Sequence, residues 1–361
     1  MSMTARERFD LLLSGKPVHP GLVFPMVGAN HAARIAGHKL KATITDARTL
    51  AAVLLNAYQE YGYDLIMVFT DTMVEAEALG CQVAIPEDDD PYLVASFQSA
   101  EADPEASSAD YADCTDCESA KSADKNPSVE WRETAGRIPA MLEAIRLIVA
   151  QTRGEVPVLA SLKGPLSLAC FLTGVEQFLT DLRTAPERCH ETLRRTSTVQ
   201  EHYLNAIIES GGIPFIGDPL ASGDIISRRD FSSFALPYLQ QLAAAAGKRH
   251  APCGLHICGD TMDRLDLMGE TGAAILSVDE MDISVARQKL GSGAILMGNV
   301  STSLLAQGSS AEVRQAARHC LAAAGPALIL SSGCDVPRDA PKENVAAIVD
   351  AIRETDSPQS R

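Results

Sequence analysis

Eight short apolar runs recur along this chain, beginning near Leu22, Leu65, Val156, Ile213, Cys253, Ala274, Ala294 and Ala327, and helical periodicity fills most of the intervals between them. Each run has strand length and carries apolar residues at consecutive positions, which is the pattern of a strand buried on both faces. From residue 253 onward strand and helix alternate briskly, the rhythm of βα units whose parallel strands are joined by right-handed crossovers. Eight such strands favour a closed (β/α)8 TIM barrel, an α/β fold in one domain spanning 1–361, with an open doubly wound sheet as the second choice. A chain of 361 residues that is 46% hydrophobic can fill a core of that size.

Helices are expected over residues 4–14, where Phe9, Leu12 and Leu13 share a face, and over 47–61, closed by Gly62. A further helix starts at Ile138, with Met141, Leu142, Ile145, Ile148 and Val149 on one side. Others are expected at 175–182, 186–210, 230–248, 262–270, 284–290, 311–324 and 342–353. Residues 70–80, 161–166 and 217–224 read as strand-end loops. The stretch from Pro86 to about Val129 differs in kind. Between Glu101 and Lys125 it carries eight acidic and two basic residues among Ala and Ser. Such a segment buries too little apolar surface to offset its ordering entropy, so a solvated acidic insertion is expected, centred on about 100–128. Its Cys114-Thr115-Asp116-Cys117 is a lone C-x-x-C with no second pair, and reads as exposed thiols.

Charge narrows the range of partners. A net charge of −16 and a pI near 4.9 argue against nucleic acid, whose binding needs clustered Lys and Arg. No uninterrupted apolar stretch reaches membrane-spanning length and the first residues lack a signal-peptide core, so the expected location is cytoplasmic, away from the membrane. Nine cysteines, mostly within apolar runs, fit reduced thiols and a few metal ligands better than a disulfide framework. No G-x-G-x-x-G opens a helix and no P-loop occurs.

The chemistry concentrates at two strand ends. In Leu255-His256-Ile257-Cys258-Gly259-Asp260, His256 and Cys258 are two apart and leave the same face of a strand. Cys334, in Ser331-Ser332-Gly333-Cys334-Asp335, follows the last apolar run and would supply a third ligand. One imidazole and two thiolates suit Zn2+, and three protein ligands leave a position open for a reactant. In a barrel, Asn30, Asp71, Asp218, His256, Cys258, Asp279, Asn299 and Cys334 converge on one mouth, at the carboxyl ends of the strands. Asp71, Glu77 and Asp279 are the candidate catalytic acids, and Asp218 and Asn299 the candidate cofactor-binding residues. Glu77 or Asp279 would orient His256 or close the fourth position before substrate arrives, although Asp279 equally suits the cap of the next helix.

These motifs, with Ile275-Leu276-Ser277-Val278-Asp279-Glu280, Leu296-Met297-Gly298-Asn299-Val300 and Asp218-Pro219-Leu220-Ala221-Ser222-Gly223-Asp224, resemble the uroporphyrinogen decarboxylase superfamily. Val74-Glu75-Ala76-Glu77-Ala78-Leu79-Gly80-Cys81 adds to a likeness with its zinc-dependent methylcobamide:coenzyme M methyltransferase branch. The resemblance implies a TIM barrel with zinc on His256, Cys258 and Cys334. It also places Asp71 where the decarboxylases carry their catalytic aspartate. Those decarboxylases hold porphyrinogen carboxylates with an R-Q-A-G-R stretch, where this chain has Asn30-His31-Ala32-Ala33-Arg34-Ile35-Ala36-Gly37.

Zinc would hold an acceptor sulfur as thiolate, and two protein thiolates would keep electron density on it for attack on a methyl group carried by cobalt. The chain has no D-x-H-x-x-G corrinoid motif, so methylcobamide is expected to ride on a separate corrinoid protein. The expected acceptor is a small thiol such as coenzyme M, with tetrahydrofolate as an alternative. Metal-free porphyrinogen decarboxylation and a non-enzymatic zinc-binding or corrinoid-docking protein are the rival readings.

Overall fold

The computed structural model describes residues 3–96 and 131–355. The core of the expected acidic insertion and the Cys114–Cys117 pair lie outside the described residues. The strands are β1 (Leu22–Val23), β2 (Ile66–Val68), β3 (Gln82–Ala84), β4 (Tyr92–Ala95), β5 (Val158–Lys163), β6 (Ile213–Gly217), β7 (Gly254–His256), β8 (Ile275–Ser277), β9 (Ile295–Val300) and β10 (Leu328–Ser332). Eight of them form one sheet in the order β1-β10-β9-β8-β7-β6-β5-β2, with every pairing parallel. Each falls on one of the apolar runs.

That order is the chain order of these strands read around a ring. A doubly wound sheet would reverse direction at a switch point, and this one does not. The sheet is curled and TIM-barrel-like. Its outermost strands, β1 and β2, approach each other through Asp64, whose N–H donates to the Val23 carbonyl at 2.8 Å and whose carboxylate accepts the Val23 N–H at 2.9 Å. Arg8, on the helix Ala5–Leu13, pairs with the same carboxylate and ties the first helix to that junction.

Helices cover the outer face for local reasons. The helix Ala47–Tyr61 starts where Asp46 accepts the Thr49 N–H at 2.8 Å and stops at Gly62, whose φ of 66° is left-handed. It buries Leu50, Val53, Leu54, Ala57 and Tyr61 along one stripe, at about 1.5–3 kcal/mol for each large side chain.

Three expectations need correction. Residues 70–80 are not all loop, because a short helix occupies Val74–Ala78. Residues 161–166 are not a loop: β5 runs on to Lys163, and a helix occupies Pro165–Thr173. All of its residues are buried, so no polar face marks its period in the sequence. The stretch after Pro86 does not begin as irregular chain, because β4 pairs antiparallel with β3 while Tyr92 and Val94 stay exposed. Tyr92-Leu93-Val94-Ala95 is rich in strand-forming side chains, and that outweighs the acidic neighbours Asp88, Asp89 and Asp90. Among the described residues no helix is long and apolar enough to cross a membrane.

Candidate metal centre at the strand ends

β7 delivers His256 at its last position, and the chain turns through Cys258 immediately beyond it. β10 ends at Ser332, two residues before Cys334. Because the two strands run parallel, both ends open on the same mouth. His256 Nε2 lies 3.2 Å from Cys258 Sγ, Cys258 Sγ lies 3.6 Å from Cys334 Sγ, and the three donor atoms are all within 4.8 Å of one another. Ligand atoms about 2.0–2.3 Å from a tetrahedral zinc are separated by roughly 3.3–3.8 Å, so this donor set fits the ion. His256 Nδ1 meets Ser277 Oγ at 3.0 Å, which leaves Nε2 turned toward the sulfurs.

The two thiols are coupled. The hydrogen bond that Cys334 gives Cys258 lowers the Cys258 pKa, while donation of that bond, together with burial, raises Cys334. A metal ion would take the place of that proton. All described cysteines are free thiols.

Asp279 braces both ligand loops. One of its carboxylate oxygens accepts the Gly259 N–H at 3.0 Å, and the other lies against Gly333, where a Cβ would collide with it. Gly259 also has a φ of +70°, so both glycines flanking the ligands are required by space or by backbone angle. Asp279 therefore sits at the centre without belonging to the His-Cys-Cys donor group.

The other expected site residues separate into distinct settings. Asp71 is buried and gripped by both Nη atoms of Arg137, whose Nε donates to Glu77 Oε2 at 2.6 Å, so two of the candidate acids share one guanidinium. Asp218 is buried, accepting the Ser167 and Leu166 N–H groups at 2.8 and 3.3 Å and the Ser167 hydroxyl at 2.5 Å. It thereby anchors the start of the helix Pro165–Thr173. Burial raises its pKa against the pull of Ser167. Asn299 gives its amide to the carbonyls of Asp279 and Met281, at 2.9 and 2.6 Å, and shapes the loop that carries Asp279. Asn30 donates to Asp90 at 2.8 Å.

Arg137, Ser277 and Lys163 were missed by the sequence reading, and Glu75 stood in it only as one of three acids at a strand end. Arg137 precedes a helix with no motif around it, and Ser277 looked like one more strand residue. Glu75, buried, accepts the Lys163 N–H, and burial raises its carboxyl pKa despite the nearby Lys163 charge. Lys163 itself is only 3% exposed. A lysine ending an otherwise apolar run was the one signal available for it.

Parallel strands that bring a His-Cys-Cys group together define a TIM-barrel-like protein with a candidate metal centre at the carboxyl ends of the strands. The family model described as uroporphyrinogen decarboxylase (URO-D) matches residues 4–355, and the chain belongs to that family. A methylated-thiol–coenzyme M methyltransferase of Methanosarcina mazei is 27% identical over 320 residues, covering 87% of this chain and 79% of that protein. The methylcobamide:CoM methyltransferase MtbA of Methanosarcina acetivorans is 26% identical over 356 residues, covering 97% and 98%. A solved structure titled methyltransferase from Methanosarcina mazei superposes with a TM-score of 0.85 at 24% identity, covering 99% of this chain and 100% of that one, a likeness of fold.

Proposed function

We propose that this chain is a zinc-dependent methyltransferase that moves a methyl group from a methylated corrinoid, carried on a separate protein, to a small thiol such as coenzyme M. The observation that carries the reading is the trio His256, Cys258 and Cys334, with donor atoms within 4.8 Å of one another at the strand ends. The relatives named methylcobamide:CoM and methylated-thiol–coenzyme M methyltransferases support it. Zinc held there would supply a Lewis-acidic open position at which an acceptor thiol is kept ionised at neutral pH.

The protein's own side chains do the rest. Ser277 holds the imidazole in the orientation that aims Nε2 at the sulfurs. Asp279 pins the two ligand loops together, so that the ligands keep their spacing when a substrate arrives. Asp71 and Glu77 share the single guanidinium of Arg137, so that neither carboxylate lacks a partner. We read Asp71 and Glu77 as residues that shape the mouth, and Asp218 and Asn299 as supports beneath the cofactor's position. The sheet is read as a closed barrel in a single domain over 1–361, working in the cytoplasm.

Decarboxylation of a porphyrinogen fits less well. Arg34, the only arginine in the segment that would hold carboxylates, is exposed and pairs with Asp339 at 2.8 Å. Metal analysis and zinc K-edge spectroscopy test the proposal. It expects about one zinc per chain, lost in Cys334→Ser, and one additional sulfur neighbour when a thiol is added. Full occupancy with no change on addition of any thiol would overturn it.

A further inference from the structure

Lys163 has no role in the account above, yet the sheet places it in register with the metal ligands. Lys163 pairs with Gly217 across β5 and β6, and Gly217 pairs with His256 across β6 and β7. Residues paired in this way on parallel strands face the same side, so Lys163 and His256 both point into the mouth, two strands apart. The residue between them has no side chain. A Cβ on Gly217 would lie 3.9 Å from Lys163 Nζ, which puts the ammonium over the bare backbone of β6, toward His256.

Lys163 as a residue is only 3% exposed, and no hydrogen bond or ion pair engages its ammonium among the described residues. The nearest carboxylates are committed elsewhere: Glu75 to the Lys163 backbone N–H, and Asp218 to Ser167 and Leu166. Both act on Lys163 only through space. An ammonium removed from water without a bound counter-charge is unfavourable, and an anion entering the mouth relieves that cost.

We infer that Lys163 is the specificity-determining residue for the acceptor: its ammonium holds the acid group of a short anionic thiol whose sulfur sits at His256, Cys258 and Cys334. The inference rests on the thiol-acceptor reading and adds the residue that reads the acceptor's acid group. With the ammonium beside Gly217 on β6, one strand spacing of roughly 5 Å separates it from β7, which a linker of two or three carbons between sulfur and acid group spans. The acid group is a sulfonate or a carboxylate. A side chain longer than a methyl group at Gly217 would extend into the space beside the ammonium.

Calorimetric titration of the zinc-loaded full chain separates the outcomes. The probes are 2-mercaptoethanesulfonate, 3-mercaptopropionate, neutral 2-mercaptoethanol and cationic 2-aminoethanethiol. The wild type should bind at least one of the two anionic thiols about tenfold or more tighter than 2-mercaptoethanol, and which of the two binds tighter identifies the acid group. Lys163→Met should abolish that preference while leaving affinity for 2-mercaptoethanol and zinc content unchanged. Lys163→Arg should retain most of the preference, and Lys163→Glu should favour 2-aminoethanethiol. Equal affinity of the wild type for charged and neutral thiols, or equal losses for all thiols in Lys163→Met, overturns the role of Lys163 and leaves the thiol-acceptor reading standing. Should Lys163→Met fail to fold, the wild-type preference and the Lys163→Arg variant decide. Failure of every thiol to bind the zinc-loaded wild type overturns the acceptor reading, and this inference with it.

Discussion

Cys258 and Cys334, 76 residues apart in the chain, bring their sulfurs to 3.6 Å at the carboxyl ends of β7 and β10. That separation suits two ligands of one tetrahedral zinc and is far beyond a disulfide bond of about 2.05 Å. Replacing Cys334 with Ser removes one ligand while conserving shape. The expected result is a loss of zinc affinity of more than about 100-fold with the fold intact, measured by competition with a chelator and by circular dichroism. Undiminished zinc binding in this variant would remove Cys334 from the centre.

Ser277 tests the support beneath His256. Its hydroxyl is the partner of Nδ1 at 3.0 Å, so Ser277→Ala frees the imidazole to rotate. Zinc affinity should fall by about 10–100-fold, a smaller loss than removal of a ligand, while stability changes by about 1 kcal/mol. A melting curve together with a zinc titration checks both numbers on one sample.

Arg137 and Asp71 form a buried pair 66 residues apart in sequence, with Glu77 completing it. Arg137→Met leaves Asp71 buried beside no cation and should cost about 3–5 kcal/mol in urea unfolding. Adding Asp71→Asn to that variant should recover a large part of the loss, since the stranded charge is then gone. Additive losses in the double variant would contradict the pairing.

Glu75 predicts a pH effect of definite sign. Burial raises its folded-state pKa above the ordinary carboxyl value of 4.5, so between that value and the folded-state value the folded chain holds a proton that the unfolded chain has released. The stabilisation is complete below 4.5 and declines as pH rises through the folded-state value. Glu75→Gln keeps an oxygen for the Lys163 N–H but cannot ionise. Denaturant midpoints for wild type and variant should therefore diverge with rising pH, in favour of the variant. A variant whose midpoint falls relative to wild type as pH rises would show that the carboxyl is stabilised in its charged form.

Local pattern carried much of the architecture. The apolar runs that begin near Leu65, Val156 and Cys253 became β2, β5 and β7, and the stripe from Leu50 to Tyr61 became a helix ended by Gly62. Where local pattern failed, burial was the cause. The helix Pro165–Thr173 is buried all round and offers no polar face from which to read a period. Tyr92–Ala95 is a short strand among acidic neighbours, and only its pairing with Gln82–Ala84 distinguishes it from a loop. In the site, H-x-C at His256 and Cys258 was legible because a two-residue spacing on a strand end decides by itself that both side chains share a face.

The sequence by itself determined the eight strands of the parallel sheet, the strand ends where polar chemistry gathers, and the pairing of imidazole with thiol, because each of these depends on residues close in the chain. The tertiary structure alone decided that Asp71 meets Arg137, that Asp279 braces the loops of Gly259 and Gly333, and that Asn299 supports a loop. It also decided that Lys163 reaches over Gly217 toward His256. These relationships depend on which strands lie side by side and in what register. Register is set by the packing of the whole sheet, a property that no short segment of the chain contains.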